Sequence, residues 1–157
     1  IEKAVISFKK AINSKPRIIS DYKIITFGIT NPEIEEMTQW IVENLGPDVP
    51  IHFTAFHPDW KMMDKNATPP STLFKARKIA KNHGLRYVYA GNVHSLDGSS
   101  TYCHECGETL IGRDWYELST WNLTLEGHCK NCGTKCAGIF NGPPGKWGRN
   151  RQQCKIH

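Results

Sequence analysis

Two short cysteine motifs in the last third of the sequence constrain the fold more than any other feature. The letters CHECG begin at Cys103 and CKNCG begin at Cys129, so Cys-x-x-Cys-Gly occurs twice. In this motif two thiolates of one tight turn point at the same ion, and the glycine permits a left-handed backbone. Four such thiolates make a closed tetrahedral zinc site. The sequence therefore predicts zinc on Cys103, Cys106, Cys129 and Cys132.

Three other interpretations of the cysteines stay open. Disulfides are disfavoured because all six cysteines lie from Cys103 onward and no export signal is visible. A redox Cys-x-x-Cys normally occurs once, at a helix start. An iron–sulfur cluster is the strongest rival, because Cys136 extends the second motif to Cys-x-x-Cys-x-x-x-Cys. Cys154 has no evident partner, and His104 and His128 adjoin the motifs as possible supporting groups.

The stretch between the two motifs is typical of a β-hairpin. Its letters LIGRDWYELSTWNLT are rich in β-formers, which predicts a small β zinc ribbon over residues 102–141. Residues 142–157 follow as a basic tail with no acidic side chain. A basic segment with a tryptophan can contact nucleic acid, but a solvated terminus explains it as well, so a nucleic-acid partner is not expected.

Upstream of the cysteines, helical and strand patterns alternate. Thr30 or Asn31 can cap a helix that has Pro32 and Glu33 in its first turn. We predict helices at 1–13, 31–45 and 71–83 and strands at 23–29, 51–56 and 86–90. Strands that alternate with helices pair in parallel through right-handed crossovers. Three strands cannot close a barrel, so the fold class is α/β, a partial parallel sheet or (β/α) barrel segment.

Polar residues follow each predicted strand. Gly28 follows the first, His57 and Asp59 the second, and Asn92 and His94 the third. Ligands of parallel α/β folds gather at the carboxyl ends of the strands, which makes this edge a candidate site. The alternative is an ordinary turn in which the Asp carboxylate accepts from a backbone N–H.

The remaining features set the domain boundaries and the compartment. Residues 94–101 are rich in Gly and Ser and predict a linker between the first domain, residues 1–93, and the ribbon. No apolar run approaches the roughly 18 residues that cross a bilayer, so a cytoplasmic protein without a membrane partner is expected. The formal charge of +5 is modest for 157 residues.

Several long words of the sequence resemble one known family. The words LGPDVPIHFTAFHPDWKM, GLRYVYAGNVH, SSTYCHECGETLIGRDWYEL and GHCKNCGTKCAGIFNGPPGKWG closely resemble the C-terminal part of the AmmeMemoRadiSam system radical SAM enzymes. These enzymes are similar to the activating enzymes of pyruvate formate-lyase. The resemblance covers about residues 23–150 and is dense from Trp40 onward.

The resemblance implies a partial (β/α) barrel that holds a [4Fe-4S] cluster on a Cys-x-x-x-Cys-x-x-Cys motif. S-adenosylmethionine on that cluster is cleaved reductively, and the 5′-deoxyadenosyl radical takes hydrogen from a substrate. That substrate is unknown, and a protein is one candidate. His57 and Asp59 would lie at the barrel mouth, on the substrate or S-adenosylmethionine side.

The sequence also departs from that family. The cluster motif is absent, no cysteine precedes Cys103, and residues 1–20 match poorly. We therefore expect a fragment that lacks the amino-terminal half of the barrel and is inactive alone. A degenerate paralogue and a non-catalytic zinc-ribbon module that binds protein or nucleic acid are the alternatives.

Overall fold

A computed structural model describes residues 22–25 and 28–140 of the chain. The predicted helix at 1–13, the basic tail at 142–157 and Cys154 lie outside these residues. The chain divides into two compact units, with the boundary between Val93 and His94. Within the described ranges, no helix combines the length and the apolar character needed to cross a bilayer.

The first unit alternates strands and helices, as predicted. Its elements are β1 (Tyr22–Ile25), α1 (Asn31–Leu45), β2 (Ile51–Thr54), α2 (Pro70–Asn82) and β3 (Val88–Gly91). The strands form one sheet in the order β1-β2-β3, and both pairs are parallel. The predicted parallel pairing is confirmed. The described strands make an open three-stranded sheet, not a barrel.

The core of the first unit lies where α1 and α2 cover the sheet. Phe53 on β2 is fully buried, together with Ile41 of α1 and Leu73 of α2. Side chains alternate across a strand, so the residues next to Phe53 on β2 point to the opposite face of the sheet. There the rings of His52 and Tyr89 stack with their centroids 4.8 Å apart.

Helix α1 begins at a capped turn. The Glu33 carboxylate accepts hydrogen bonds from the Thr30 backbone N–H at 2.8 Å and from its hydroxyl at 2.7 Å. These bonds stabilise the charged form and lower the pKa of Glu33. The helix ends at Gly46, whose φ of 92° an L side chain would strain.

The second unit is built on a small antiparallel sheet. Its elements are α3 (Leu96–Ser99), β4 (Thr101–Tyr102), β5 (Thr109–Asp114) and β6 (Glu117–Trp121). Strands β5 and β6 form the predicted hairpin in a sheet of order β4-β5-β6.

The segment 94–101, predicted as a linker, holds α3 and the first residue of β4. The Ser95 hydroxyl accepts from the Gly98 N–H at 3.0 Å and caps this short helix. The Ser99 hydroxyl donates to the Arg113 carbonyl on β5 at 2.8 Å. Serines that suggest a linker by composition thus act here as a cap and as a contact to the sheet.

Candidate metal centre

Each Cys-x-x-Cys-Gly segment folds into a tight turn, here called a knuckle (residues 103–107 and 129–133). In the first knuckle the Cys103 N–H donates to the Glu108 carbonyl at 2.8 Å. The Gly107 N–H donates back to the Cys103 carbonyl at 3.0 Å. These two bonds close the turn that carries both thiols.

The second knuckle repeats this geometry. Its two bonds join Cys129 to Thr134 and Gly133 to Cys129, both at 2.8 Å. The glycines that end the knuckles, Gly107 and Gly133, have φ angles of 74° and 77°. An added Cβ would meet nothing within 4 Å at either position, so backbone conformation and not space favours glycine there.

The two knuckles bring four sulfurs together. Cys103 Sγ lies 3.5 Å from Cys132 Sγ, and Cys106 Sγ lies 3.7 Å from Cys129 Sγ. All four sulfurs lie within 4.8 Å of one another. Zn–S bonds of about 2.3 Å place the sulfurs of a regular tetrahedron roughly 3.8 Å apart. The four cysteines could therefore hold one tetrahedral metal ion.

The four thiols differ in their environments. The first cysteine of each knuckle, Cys103 or Cys129, is buried, and the second, Cys106 or Cys132, is exposed. Burial raises the pKa of Cys103 to about 11, against the opposing effect of nearby backbone N–H groups. Hydrogen bonds from the hydroxyl and the N–H of Thr134 lower the pKa of Cys132 to about 6. Cys132 is thus more ready than Cys103 to bind a cation at neutral pH.

Asn122 connects the two knuckles. Its side-chain amide donates to Glu108 Oε1 at 3.1 Å and to the Thr109 carbonyl at 2.9 Å, directly after the first knuckle. Its backbone carbonyl accepts from the N–H of Lys130, inside the second knuckle, at 3.0 Å. Asn122 could not be identified from the sequence, because its side-chain partners Glu108 and Thr109 lie more than ten positions away.

Cys136 lies outside the sulfur cluster. Its thiol is buried and its N–H donates to the Gly127 carbonyl at 2.9 Å. Among the residues that the structure describes, only the four knuckle cysteines form a group that could hold a metal, and no cysteine there is in a disulfide. His104 contacts Glu105 at 3.8 Å and is not part of that group.

The loop after β2 carries the first pair of candidate site residues. His57 and Asp59 are both exposed just beyond the carboxyl end of β2. The Asp59 carboxylate accepts from the Trp60 N–H at 2.7 Å and caps the short 3-10 helix Trp60–Met62. The turn that the sequence offered as an alternative is therefore present, and Asp59 has a structural part in it.

The other candidates at this edge fall in different units. Asn92 donates from its side chain to the Ala55 carbonyl at 3.3 Å and so joins the ends of β3 and β2. His94 belongs to the second unit, where its Nε2 lies 2.9 Å from Asp114 Oδ1. Gly28, beyond β1, is exposed and has a φ of 69°.

The fold and the cysteine geometry define a mixed α/β protein with a four-cysteine centre that could hold a metal ion. The chain is similar to the uncharacterized protein MJ0808 of Methanocaldococcus jannaschii, with 44% identity over 97 residues. This match covers 61% of the chain and 29% of the relative, so the chain spans less than a third of that protein's length. No protein-family profile matches the chain, and no solved structure does.

Proposed function

We propose that the four-cysteine centre binds one zinc ion that holds the second unit together. The observation that carries this proposal is the mutual approach of four Sγ atoms within 4.8 Å. Thiolates favour soft or borderline ions, and four of them leave no open coordination position for a water or a substrate. The role of this zinc is therefore structural, and the chemistry of the protein lies elsewhere.

We further propose that the chain is the C-terminal part of a radical SAM enzyme. The support is the resemblance of its sequence words, together with a parallel sheet whose carboxyl edge carries polar loops. In this proposal β1, β2 and β3 are the last strands of a partial (β/α) barrel. The substrate is unidentified, and a protein is one candidate.

In this enzyme His57 and Asp59 would face the barrel mouth, on the substrate or S-adenosylmethionine side. Besides the four knuckle cysteines, the described residues contain no group of cysteines that could hold a [4Fe-4S] cluster. The cluster and the S-adenosylmethionine bound to it would therefore be held by the amino-terminal half of the barrel. We expect the isolated chain to be inactive.

Two observations test the proposed enzyme. The coding sequence upstream of Ile1 should contain a Cys-x-x-x-Cys-x-x-Cys motif in the same reading frame. The isolated chain, supplied anaerobically with iron, sulfide and a reductant, should form no 5′-deoxyadenosine above a control without protein. An upstream frame without that motif contradicts the radical SAM assignment and leaves the zinc assignment unaffected.

The intact enzyme offers a test of His57. A lost hydrogen bond to a charged group costs about 1.5–3 kcal/mol, or roughly 10- to 100-fold in rate when it acts in the transition state. We expect His57→Ala to lower turnover by about this factor without changing the zinc content. His83→Ala, at the exposed end of α2, is the matched control. Lower stability with unchanged turnover per folded molecule would assign His57 to the turn alone.

A zinc-stabilised binding module is the second candidate function. It is favoured by large aromatic side chains that the second unit exposes at the tip of its hairpin, Trp115 and Tyr116.

A further inference from the structure

The tip of the β5–β6 hairpin exposes two large aromatic side chains to solvent. Asp114 pairs with Glu117, so Trp115 and Tyr116 form a two-residue turn. Their exposed fractions are 56% and 74%, and that of Leu118 beside them is 44%. Exposed aromatic side chains grouped on a rigid element are typical of interaction sites.

The backbone of this turn is strained, because one of its aromatic residues adopts a positive φ. Trp115 has a φ of 53°, in the left-handed region. Glycine and asparagine adopt this conformation readily, whereas a bulky aromatic residue does so at a cost in stability. An observed outlier of this kind points to a function for the side chain that occupies it.

The indole of Trp115 lies beside one other ring, that of His94. The His94 ring lies nearly parallel to it, with an interplanar angle of 10° and centroids 6.0 Å apart. Asp114 Oδ1 lies 2.9 Å from His94 Nε2 and fixes that imidazole. A side chain ordered before binding loses less conformational entropy when a partner arrives.

The charge around the tip limits the partner. The described residues 94–140 contain six acidic side chains and three of Lys or Arg, and the basic tail beyond them adds four of Lys or Arg. Two of the acidic residues, Asp114 and Glu117, flank the aromatic turn directly. These two carboxylates repel phosphate groups at the tip itself and attract cationic side chains there.

We propose that this hairpin tip is a docking site for a basic segment of a protein partner. Arginine or lysine side chains of the partner would lie over the faces of Trp115 and Tyr116 in cation–π contact. The carboxylates of Asp114 and Glu117 would receive hydrogen bonds from the same cationic groups. The proposal is independent of the radical SAM assignment, since it rests on the second unit alone.

Fluorescence anisotropy with the full zinc-loaded chain tests the proposal. The probe is a labelled peptide of alternating arginine and glycine, compared with a glutamate–glycine peptide of equal length and a labelled single-stranded oligothymidine. We expect saturable binding of the arginine peptide alone, weakened about tenfold or more by Trp115→Gly. Absence of saturation, or tighter binding of the oligonucleotide, overturns the proposal.

Two further variants separate docking from a structural role. Glycine adopts the left-handed conformation freely, so Trp115→Gly should keep or raise the thermal midpoint while binding weakens about tenfold or more. Trp60→Gly removes another exposed tryptophan at positive φ, in the first unit, and should leave binding unchanged. A Trp115→Gly variant that binds like the wild type, or a Trp60→Gly variant that loses binding equally, contradicts the proposed site.

Discussion

Cys132 Sγ and the Thr134 hydroxyl oxygen lie 3.3 Å apart and share a hydrogen bond. The corresponding position of the first knuckle, two residues after Cys106, is Glu108, whose carboxylate accepts instead from Asn122. The knuckles are therefore alike in their backbone bonds and unlike around their exposed sulfurs. The hydroxyl favours a thiolate at Cys132 and supplies one ready ligand to an incoming cation.

Thr134→Val should weaken metal binding without changing the fold. Without the hydroxyl, the pKa of Cys132 rises from its lowered value of about 6 towards 9.0. Protons then compete for this sulfur up to a higher pH, so the midpoint of zinc release on acidification should move upward. We expect a loss of affinity of about tenfold at neutral pH, measured by competition with a chromogenic chelator.

The matched control for this experiment is Thr109→Val, which removes a hydroxyl from β5 of the same unit. Its zinc-release curve should superimpose on that of the wild type. If the midpoint of zinc release shifts equally in both variants, the effect reflects the stability of the second unit. It then does not come from the contact between the Thr134 hydroxyl and Cys132 Sγ.

Zinc content should depend on the knuckle cysteines and not on Cys136. We expect elemental analysis to find one zinc per wild-type chain and per Cys136→Ala chain, and a marked loss in Cys106→Ser. Chelation should unfold the second unit and leave the helices of the first. Iron without zinc in aerobically purified protein would refute the assignment.

Asn122→Asp should destabilise the second unit more than Asn122→Ala. Alanine removes two donated hydrogen bonds, each with a net contribution of about 0.5–1.5 kcal/mol. Aspartate removes them as well and adds a carboxylate beside that of Glu108. Urea unfolding of the zinc-loaded protein measures both changes, and equal midpoints for the two variants would show that the amide does not face Glu108 in solution.

The capped turn of α1 should make stability depend on acid pH. The folded-state pKa of Glu33 is lowered, so its stabilising effect is present above the unfolded pKa and lost as pH falls through the folded value. The gap in melting temperature between wild type and Glu33→Gln should therefore be widest near neutrality and close on acidification. Glu36→Gln, at an exposed position of the same helix, should give a smaller, flatter difference.

Much of the architecture could be predicted because it follows from local patterns. Alternating helix and strand signals led to a parallel sheet, and the doubled Cys-x-x-Cys-Gly led to four neighbouring sulfurs. The linker predicted for 94–101 stays a prediction, and the helix α3 inside it was not foreseen, since the same serines serve as linker residues or as helix caps. The contact from Ser99 to Arg113 on β5, which local sequence does not reveal, distinguishes the two.

The details that distinguish this molecule could not be predicted in the same way. Residue propensities argue against tryptophan at positive φ, yet both Trp60 and Trp115 adopt it. Asn122 gives no local signal, because its importance comes from partners brought near by the hairpin. For Asp59 the sequence predicted two alternatives, a residue of a binding site and a residue that caps a turn. The hydrogen bond from the Trp60 N–H to its carboxylate supports the turn.

The arrangement of one buried and one exposed cysteine in each knuckle has a kinetic consequence. Cys106 and Cys132 present their sulfurs to solvent, whereas Cys103 and Cys129 close the inner side. A competing ligand could therefore attack a bound ion from outside and replace the thiolates one at a time. Metal exchange would then proceed at a rate set by the concentration of the competitor, without waiting for the unit to open.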